Sequence, residues 1–332
     1  QTSGSGYEGT GVTVAVVDSG LPQNWPEFLP AGSVDLEHAA GFGAEGWGDF
    51  HGPINAIRGA GGHIGLFPHG LAVSSVIVGF PSEFGPIAGA APGVKILPVR
   101  VLDQFNFGWF SWFTAGILHV ARLKADGVLT GPVVINFSIQ AGGSSAILQN
   151  AIDYAISQGV IFVTIAGNFG PGPGTIAFPG RLPESITAGA VGWVGEFSSP
   201  QWFFSPVPPN DASQPYLAGF SGWEFPGDPP ASRIDVVAPG SFVFGEWLFG
   251  PGFSEGREVA FDAVDNYLFG TSFACPHVVG VAAQMLQKNP HLNQADVETI
   301  LRGTALALPG NLAATGKGLL RGAAAVVATP AP

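Results

Sequence analysis

Short apolar runs alternate with longer amphipathic segments along most of the chain. The short runs are rich in β-branched residues and apolar at nearly every position, which is typical of strands buried on both faces of a sheet. They lie at 12–17, 95–101, 133–139, 160–165, 186–191 and 233–237. Amphipathic segments that predict helices lie at 70–78, 111–124, 146–158 and 272–288. This alternation predicts an α/β fold, with a mostly parallel sheet covered by helices on both faces.

Helix boundary signals support this pattern. Asn289 and Pro290 end the helix predicted at 272–288, because proline lacks the amide donor that a continuing helix needs. A further short helix is predicted at 293–302, with Asn293 as its N-cap. No repeat and no low-complexity linker divides the chain. We therefore predict a single domain over residues 1–332.

Three long segments interrupt the alternation, at 33–68, 195–216 and 241–269. They are rich in glycine, proline and aromatic residues, and the densest aromatic patches are at 202–204 and 242–249. Long segments without regular structure are uncommon in compact domains, and those that occur are usually functional or mobile. Their aromatic side chains either pack on one another or face a substrate, and the sequence leaves both alternatives open.

Composition narrows the class of protein. Hydrophobic residues make up 46% of the 332 residues and charged residues 11%, so the chain can bury a core and is not disordered. The net charge is -12, with only 12 lysines and arginines, whereas nucleic-acid binding needs clustered cations. No apolar stretch approaches the ~20 residues that cross a bilayer. Neither nucleic acid nor a membrane is therefore expected as a partner.

Four polar residues lie at the ends of predicted elements. Asp18 and Asn168 each follow a predicted strand, and His69 and Ser272 each begin a predicted helix. Nucleophilic hydrolysis needs a hydroxyl, an imidazole base, a carboxylate that orients the base, and donors for the oxyanion. Each residue alone also fits an ordinary role as a turn residue or helix cap. Together they offer every group that this chemistry needs.

The order of these residues adds specificity. His69 follows Asp18 by 51 residues and precedes Ser272 by 203, and this arrangement resembles the subtilisin-like serine peptidases (subtilases). The matching motifs are Val14-Ala-Val-Val-Asp-Ser-Gly20, Ala91-Pro-Gly-Val-Lys-Ile-Leu-Pro-Val-Arg-Val-Leu102, Val134-Ile-Asn-Phe-Ser138, Ala166-Gly-Asn168, Val237-Ala-Pro-Gly240 and Gly270-Thr-Ser-Phe-Ala-Cys-Pro-His277. The resemblance covers residues 6–328 and implies the subtilisin-like three-layer α/β fold.

The resemblance also implies a role for each residue. Ser272 is the expected nucleophile, His69 the general base and then acid, and Asp18 the group that orients the imidazole. Asn168 is expected to donate its side-chain amide to the oxyanion, together with the Ser272 backbone N–H and with Thr271 as a helper. The expected activity is that of a serine endopeptidase acting through an acyl-enzyme on Ser272.

Peptide substrates of this family bind as an added strand between two edge segments, which align with 107–109 and 138–140. No acidic residue aligns with the pocket for the side chain before the cleaved bond, so we expect an apolar or aromatic side chain there. A second apolar pocket is expected three residues upstream. The residues expected to line the cleft are Gly108, Phe110, Trp112, Ser138, Ile139, Gln140, Ala166, Gly167, Phe169, Ala177 and Thr271.

Two departures from the family pattern are visible. The family's histidine motif reads His-Gly-Thr-His-Val-Ala-Gly, whereas residues 69–75 read His-Gly-Leu-Ala-Val-Ser-Ser. Packing beside the histidine helix is therefore expected to differ. The family usually places glycine two residues after Ser138, where this chain has Gln140. The pairing of a substrate with this segment is expected to change as well.

No cofactor is expected for the chemistry. A structural calcium ion is common in the family, and Glu27 and Glu83 align with the region of its tight site. The N-terminal segment that completes that site is shorter here, and two acids on surface loops are ordinarily solvated charges. The sequence therefore leaves calcium open. Cys275, the single cysteine, is expected to be a buried, inert thiol on the serine helix.

Two alternatives to a broad endopeptidase remain open. One is a catalytically silent binding module of the same fold, although such a module needs none of the four catalytic positions. The other is a narrow processing peptidase or a peptide ligase. For the active enzyme we expect protein or peptide substrates, a removable pro-segment and a monomer. Because the chain starts at Gln1, a processed or trimmed chain is expected, and the resemblance implies secretion to the extracellular space.

Overall fold

The computed structural model describes residues 5–22, 24–43, 49–50, 57–58, 69–82, 85–103, 106–192, 215–225, 234–241, 243–248 and 263–332. Within these ranges the helices are α1 (His69–Val78), α2 (Phe110–Ala125), α3 (Ala146–Ser157), α4 (Thr271–Lys288), α5 (Gln294–Thr304), α6 (Leu312–Thr315) and α7 (Gly322–Ala328). The strands are β1 (Thr13–Asp18), β2 (Leu21–Pro22), β3 (Ala40–Phe42), β4 (Asp49–Phe50), β5 (Ile57–Arg58), β6 (Gly79–Ser82), β7 (Gly85–Ala88), β8 (Lys95–Arg100), β9 (Val133–Phe137), β10 (Val160–Ile165), β11 (Ile186–Gly192), β12 (Tyr216–Leu217), β13 (Val236–Pro239), β14 (Val243–Leu248) and β15 (Ala263–Leu268).

One large sheet forms the centre of the described molecule. Its strand order is β12-β11-β10-β9-β1-β8-β3-β4, and β13 also pairs with β11. Neighbouring strands run parallel except at the pairs β11/β12 and β3/β4, which are antiparallel. The predicted mostly parallel sheet is therefore confirmed.

Helices cover both faces of this sheet. On β1, Val14 and Val16 belong to one core together with residues of α1 and α4. The intervening Ala15 and Val17 belong to a second core with residues of α2 and α3. This split follows from the strand period of two, which sends successive side chains to opposite faces. The predicted three-layer arrangement is confirmed.

The predicted helices agree with the structure to within a few residues. Asn293 caps α5 as predicted, and its side chain accepts the backbone N–H of Asp296 while the Asp296 carboxylate accepts the Asn293 N–H. The strand predicted at 12–17 lies one residue further along the chain, at Thr13–Asp18, so Asp18 is the last residue of β1. The predicted run 133–139 ends early, at Phe137. Residues 138–140 thus lie beyond the strand.

The prediction that 241–269 lacks regular structure is wrong in part. Strands β14 and β15 pair as an antiparallel hairpin, with Val243 opposite Leu268 and Leu248 opposite Ala263. The continuous apolar runs used above as the strand signal mark strands of buried parallel sheets, whereas antiparallel strands often mix polar and apolar residues. The hairpin lies against α1, and a Cβ added at Gly245 would come within 3.3 Å of the Ser75 hydroxyl.

The other two insertions are described only in part. Segment 33–68, which was also predicted to interrupt the regular pattern, contributes the short strands β3, β4 and β5. The aromatic patch at 202–204 lies outside the described residues, and so do positions 242 and 249. The prediction that insertion aromatics pack on one another or face a substrate therefore stays a prediction. No helix in the described ranges is long and apolar enough to cross a membrane.

Candidate active site

The acid and the imidazole form a close pair at one edge of the sheet. Asp18 ends β1 and is fully buried, and His69 begins α1. Both carboxylate oxygens of Asp18 lie 2.9 Å from His69 Nδ1. The Ser19 N–H donates to Asp18 Oδ1 over 2.6 Å. A buried carboxylate needs such partners, and here they fix the orientation of the imidazole.

The turn after β1 also supports the start of α1. The Gly70 N–H donates to the Ser19 hydroxyl over 2.9 Å, which satisfies one of the amides that a helix leaves free in its first turn. A Cβ at Gly70 would approach the Gly20 carbonyl to 2.5 Å. Only glycine at position 70 lets the helix come this close to the acid, so the retained Gly70 has a geometric reason.

The candidate nucleophile Ser272 is the second residue of α4 and is 6% exposed. Its backbone N–H lies in the first turn, where amides have no acceptor within the helix. Pro276 stands inside α4 and cannot donate to the Ser272 carbonyl four residues earlier. The Ser138 hydroxyl supplies the missing donor over 3.0 Å, and it accepts from Asn136 Nδ2 over 2.9 Å.

The Ser272 hydroxyl is hydrogen-bonded to backbone and not to the imidazole of the described His69. Its Oγ donates to the Ser138 carbonyl over 3.3 Å, and it makes no hydrogen bond to His69, although both residues are described. The His69 ring instead packs beside the Phe273 ring, with centroids 5.7 Å apart. Catalytic hydrogen bonds are often long or misaligned without substrate. For attack by Oγ, the Ser272 hydroxyl has to donate to His69 Nε2 in place of the Ser138 carbonyl.

Asn168 provides the candidate oxyanion donor. Its Oδ1 accepts two hydrogen bonds from Thr271, from the backbone N–H over 2.9 Å and from the hydroxyl over 2.8 Å. Two donors on the same atom identify it as the amide oxygen and leave Nδ2 without a partner among the described residues. The preceding Gly167 has φ +90°, a conformation that side chains rarely adopt. The amide nitrogen is thus free to donate.

Comparison with known proteins identifies the family of the chain. The model of the Subtilase family matches residues 9–318. The chain belongs to the subtilase family. Subtilisin E of Bacillus subtilis (strain 168) is 29% identical over 317 residues, which are 95% of this chain and 65% of that protein. A subtilisin of Bacillus pumilus is also 29% identical over 317 residues, covering 95% of this chain and 90% of that protein.

A solved structure shows the same fold. The protein described as S41 psychrophilic protease superposes with a TM-score of 0.72 at 25% identity, covering 95% of this chain and 92% of that one. This chain therefore spans nearly all of that subtilase, whereas it spans about two thirds of the length of subtilisin E.

Two segments predicted to line the subtilase cleft lie next to each other. Residues 138–140 follow β9 and residues 166–169 follow β10, and these strands are parallel neighbours. Ala177 is buried between them, since its N–H donates to the Ala166 carbonyl over 2.8 Å and its Cβ would lie 2.4 Å from a Cβ at Gly167. Ile139 is buried as well, and Phe169 is 48% exposed. That these residues line the pocket before the cleaved bond stays a prediction.

The other predicted edge segment precedes α2. Phe107 and Trp109 are 73% and 70% exposed, and a Cβ at Gly108 would meet the Phe113 ring at 2.4 Å. Phe110 and Trp112 pack partly buried against the core under α2. The Phe110 ring also lies 5.8 Å from the Phe178 ring, edge to face, so a residue predicted for the second pocket lies close to the chain neighbour of Ala177.

Sequence reasoning did not anticipate two supporting contacts. One is the Ser138 hydroxyl bond to the Ser272 carbonyl, and its signal was present in the sequence. Pro276 lies four residues after Ser272, so that carbonyl had to find a donor elsewhere. The other is a hydrogen bond from the Asn168 N–H to Gln140 Oε1 over 2.6 Å. No local pattern predicts that contact, because the two residues are 28 positions apart.

Cys275 lies three residues after Ser272 on α4, and it is fully buried. Burial raises the pKa of the Cys275 thiol to about 12. A thiol that stays protonated and inaccessible is neither a nucleophile nor a redox group. The expectation of a buried, inert thiol is therefore confirmed.

The candidate calcium ligands are only partly described. Glu27 ends an exposed 3₁₀ helix, Trp25–Glu27, and Glu83 lies outside the described residues. Within the described ranges no three His, Cys, Asp or Glu side chains group in a way that could hold a metal ion. Calcium binding at Glu27 and Glu83 stays a prediction.

Proposed function

We propose that this subtilase is a serine endopeptidase. The observation that carries the proposal is the placement of the Asp18–His69 pair beside the start of α4, where Ser272 and the free amide of Asn168 meet. Acid, base, nucleophile and oxyanion donor then lie on one edge of the sheet. This is the edge where parallel α/β sheets place their sites, at the carboxyl ends of the strands.

The chemistry follows from the geometry. Ser272 Oγ attacks the substrate carbonyl while His69 Nε2 takes its proton, and the Asp18 carboxylate holds Nδ1–H and stabilises the imidazolium. The oxyanion accepts hydrogen bonds from Asn168 Nδ2 and the Ser272 N–H. The imidazolium then protonates the leaving amine, and an acyl-enzyme remains on Ser272. Water, deprotonated by His69, releases the acid product in the reverse sequence.

We also propose a preference for apolar or aromatic side chains before the cleaved bond. Ile139 and Ala177 are buried beside the predicted pocket and Phe169 is half exposed at it. No carboxylate stands among the predicted lining residues. A lysine or arginine side chain would lose hydration there without gaining an ionic partner. The substrates are accordingly proteins or peptides that expose apolar residues.

An activity-based probe tests the chemistry. Labelling of the wild-type protein by a fluorophosphonate is expected, and it should disappear in Ser272→Ala. The matched control Ser144→Ala changes an exposed serine and should leave labelling intact. A folded wild-type protein that takes up no probe would instead favour a catalytically silent binding module.

A peptide library tests the specificity. Cleavage after large apolar residues is expected, and a strict requirement for lysine or arginine would contradict the proposed pocket. A long, narrow consensus would favour a processing peptidase. Joining of peptides in the presence of an added amine nucleophile would favour a ligase.

The remaining expectations concern the environment of the enzyme. We propose that the chain is secreted as a monomer, with a removable pro-segment. No step of the reaction above uses a metal ion, so activity measured directly after dialysis against EDTA should be unchanged. A loss of heat stability under the same treatment would indicate a structural calcium ion.

A further inference from the structure

The position of Asn168 depends on two different sets of contacts. Thr271 fixes the side chain of Asn168, because Asn168 Oδ1 accepts hydrogen bonds from both the N–H and the hydroxyl of Thr271. The backbone of Asn168 is held by the neighbouring segment after β9, where Gln140 Oε1 accepts the Asn168 N–H over 2.6 Å. The direction of Nδ2 therefore depends on Gln140 as well as on Thr271.

The neighbouring backbone is already anchored. The Ala166 carbonyl accepts from the Ala177 N–H over 2.8 Å, and the Gly167 carbonyl accepts from the Gly222 N–H over 2.9 Å. The Asn168 N–H has Gln140 as its only partner among the described residues. Without that oxygen, the peptide group between Gly167 and Asn168 loses its one fixed donor contact.

The backbone next to Gln140 is held by hydrogen bonds. The chain neighbour Ala141 exchanges two backbone hydrogen bonds with Phe178, of 2.9 and 3.1 Å. A Cβ at Gly167 would come within 3.2 Å of Gln140 Oε1, so the absence of a side chain at position 167 leaves room for the contact. The Gln140 side chain therefore crosses from the segment after β9 to the loop after β10.

We infer that Gln140 is a positioning residue for the oxyanion donor, acting through the backbone of Asn168. This inference rests on the proposed peptidase function and deepens it. Gln140 takes no part in proton transfer. It holds the Asn168 backbone so that Nδ2 points at the developing oxyanion, and a misplacement of about 1 Å in such a group can cost up to ~10²-fold in rate.

A double-mutant cycle on the active enzyme tests the inference. Gln140→Met keeps the length of the side chain but removes the acceptor, and it should lower kcat about 10-fold with little change in KM. Asn168→Ala should lower kcat by roughly 10²–10³-fold. In the Asn168→Ala background, Gln140→Met should lower kcat by less than about twofold, because residues that act as a unit are not additive.

Binding of an inhibitor separates positioning from general damage. The affinity of a peptide aldehyde, whose adduct on Ser272 carries the oxyanion, should fall with kcat/KM in Gln140→Met. The affinity of the matching peptide acid, which carries no such adduct, should stay the same. Gln158→Met, at a partly buried glutamine whose side chain donates to the Ser157 hydroxyl, is the matched control and should alter neither value. Gln140→Ala provides a second variant if the methionine disturbs folding.

Two results would overturn the inference. One is a kcat within about twofold of wild type in Gln140→Met, and the other is an equal loss in both Asn168 backgrounds. Either result leaves the peptidase proposal intact, as long as wild-type protein cleaves peptide and Ser272→Ala does not. Absence of cleavage in both would count against the proposed function itself.

Discussion

The acid–base pair and the nucleophile lie at the same edge of the sheet but are held in different ways. Asp18 is fully buried, and both of its oxygens lie 2.9 Å from His69 Nδ1. The Ser272 hydroxyl rests on the Ser138 carbonyl over a long 3.3 Å contact. A buried charge needs its partner in every state, whereas a neutral hydroxyl can exchange one acceptor for another. The protein thus holds the Asp18–His69 pair by short hydrogen bonds and the Ser272 hydroxyl by a longer one.

The largest expected effect comes from breaking the fixed pair. Asp18→Asn should lower kcat roughly 10⁴-fold, because the amide no longer stabilises the imidazolium and can hold the imidazole in the wrong tautomer. Steady-state peptide hydrolysis measures the loss. Asp126→Asn, at the exposed end of α2, is the control. A loss below about 10²-fold would mean that the pair matters less to catalysis than its geometry indicates.

The hydrogen bond from the Ser138 hydroxyl to the Ser272 carbonyl can be removed separately. Ser138→Ala removes the donor to the Ser272 carbonyl, and Pro276 offers no replacement. An unsatisfied buried carbonyl should lower the free energy of unfolding by about 1–3 kcal/mol. Urea unfolding in a Ser272→Ala background, where self-digestion is absent, measures the change. Ser157→Ala, an exposed serine bonded to a carbonyl of its own helix, should cost far less, and equal losses would contradict the argument.

The smallest effect concerns pH and the helix that carries the nucleophile. His277 donates from Nδ1 to the Phe273 carbonyl over 2.8 Å, and burial lowers the pKa of its imidazole to about 4. The unfolded chain then binds more protons between about pH 6.5 and 4. His277 therefore contributes to stability above pH 6.5, and this contribution is lost as pH falls toward 4.

His277→Asn keeps a donor for Phe273 but removes the titrating group. In the Ser272→Ala background, the loss of stability between pH 7 and 4.5 should be smaller in this variant, by on the order of 1 kcal/mol after screening by solvent. Thermal unfolding at several pH values measures the difference. Identical pH dependence with and without His277 would show that other groups control it.

Six strands of the central sheet, β1, β8, β9, β10, β11 and β13, were predictable because both of their faces are buried. Strands such as β1 and β10 read as continuous apolar runs, and the helices between them carry one apolar stripe. The hairpin β14–β15 was missed, since an antiparallel pair does not need an apolar side chain at every position. Its pairing joins residues up to 25 positions apart, and such long-range partners leave no local periodic signal.

The residue types at the candidate site and their order could be predicted from the sequence, but the contacts between the segments that form the site could not. Asp18, His69, Asn168 and Ser272 stand at strand ends and helix starts, where local pattern places them. The bond between Gln140 and Asn168 joins the ends of two neighbouring strands. In sequence, Gln140 appeared as a predicted cleft residue and as a departure from the glycine common in the family. In the fold, its side chain contacts the loop that carries Asn168.

The sequence by itself determined the α/β class, the approximate bounds of helices α1 to α5, and the types and order of the four candidate reactive residues, because these depend on local periodicity and on residue chemistry. The tertiary structure alone decided how those groups face each other. Parallel strand pairing brings the ends of β1, β9 and β10 to one edge, and α4 approaches that edge through its Gly270–Thr271 start. Distances of a few ångströms between residues far apart in the chain are set by packing, and no local pattern encodes them.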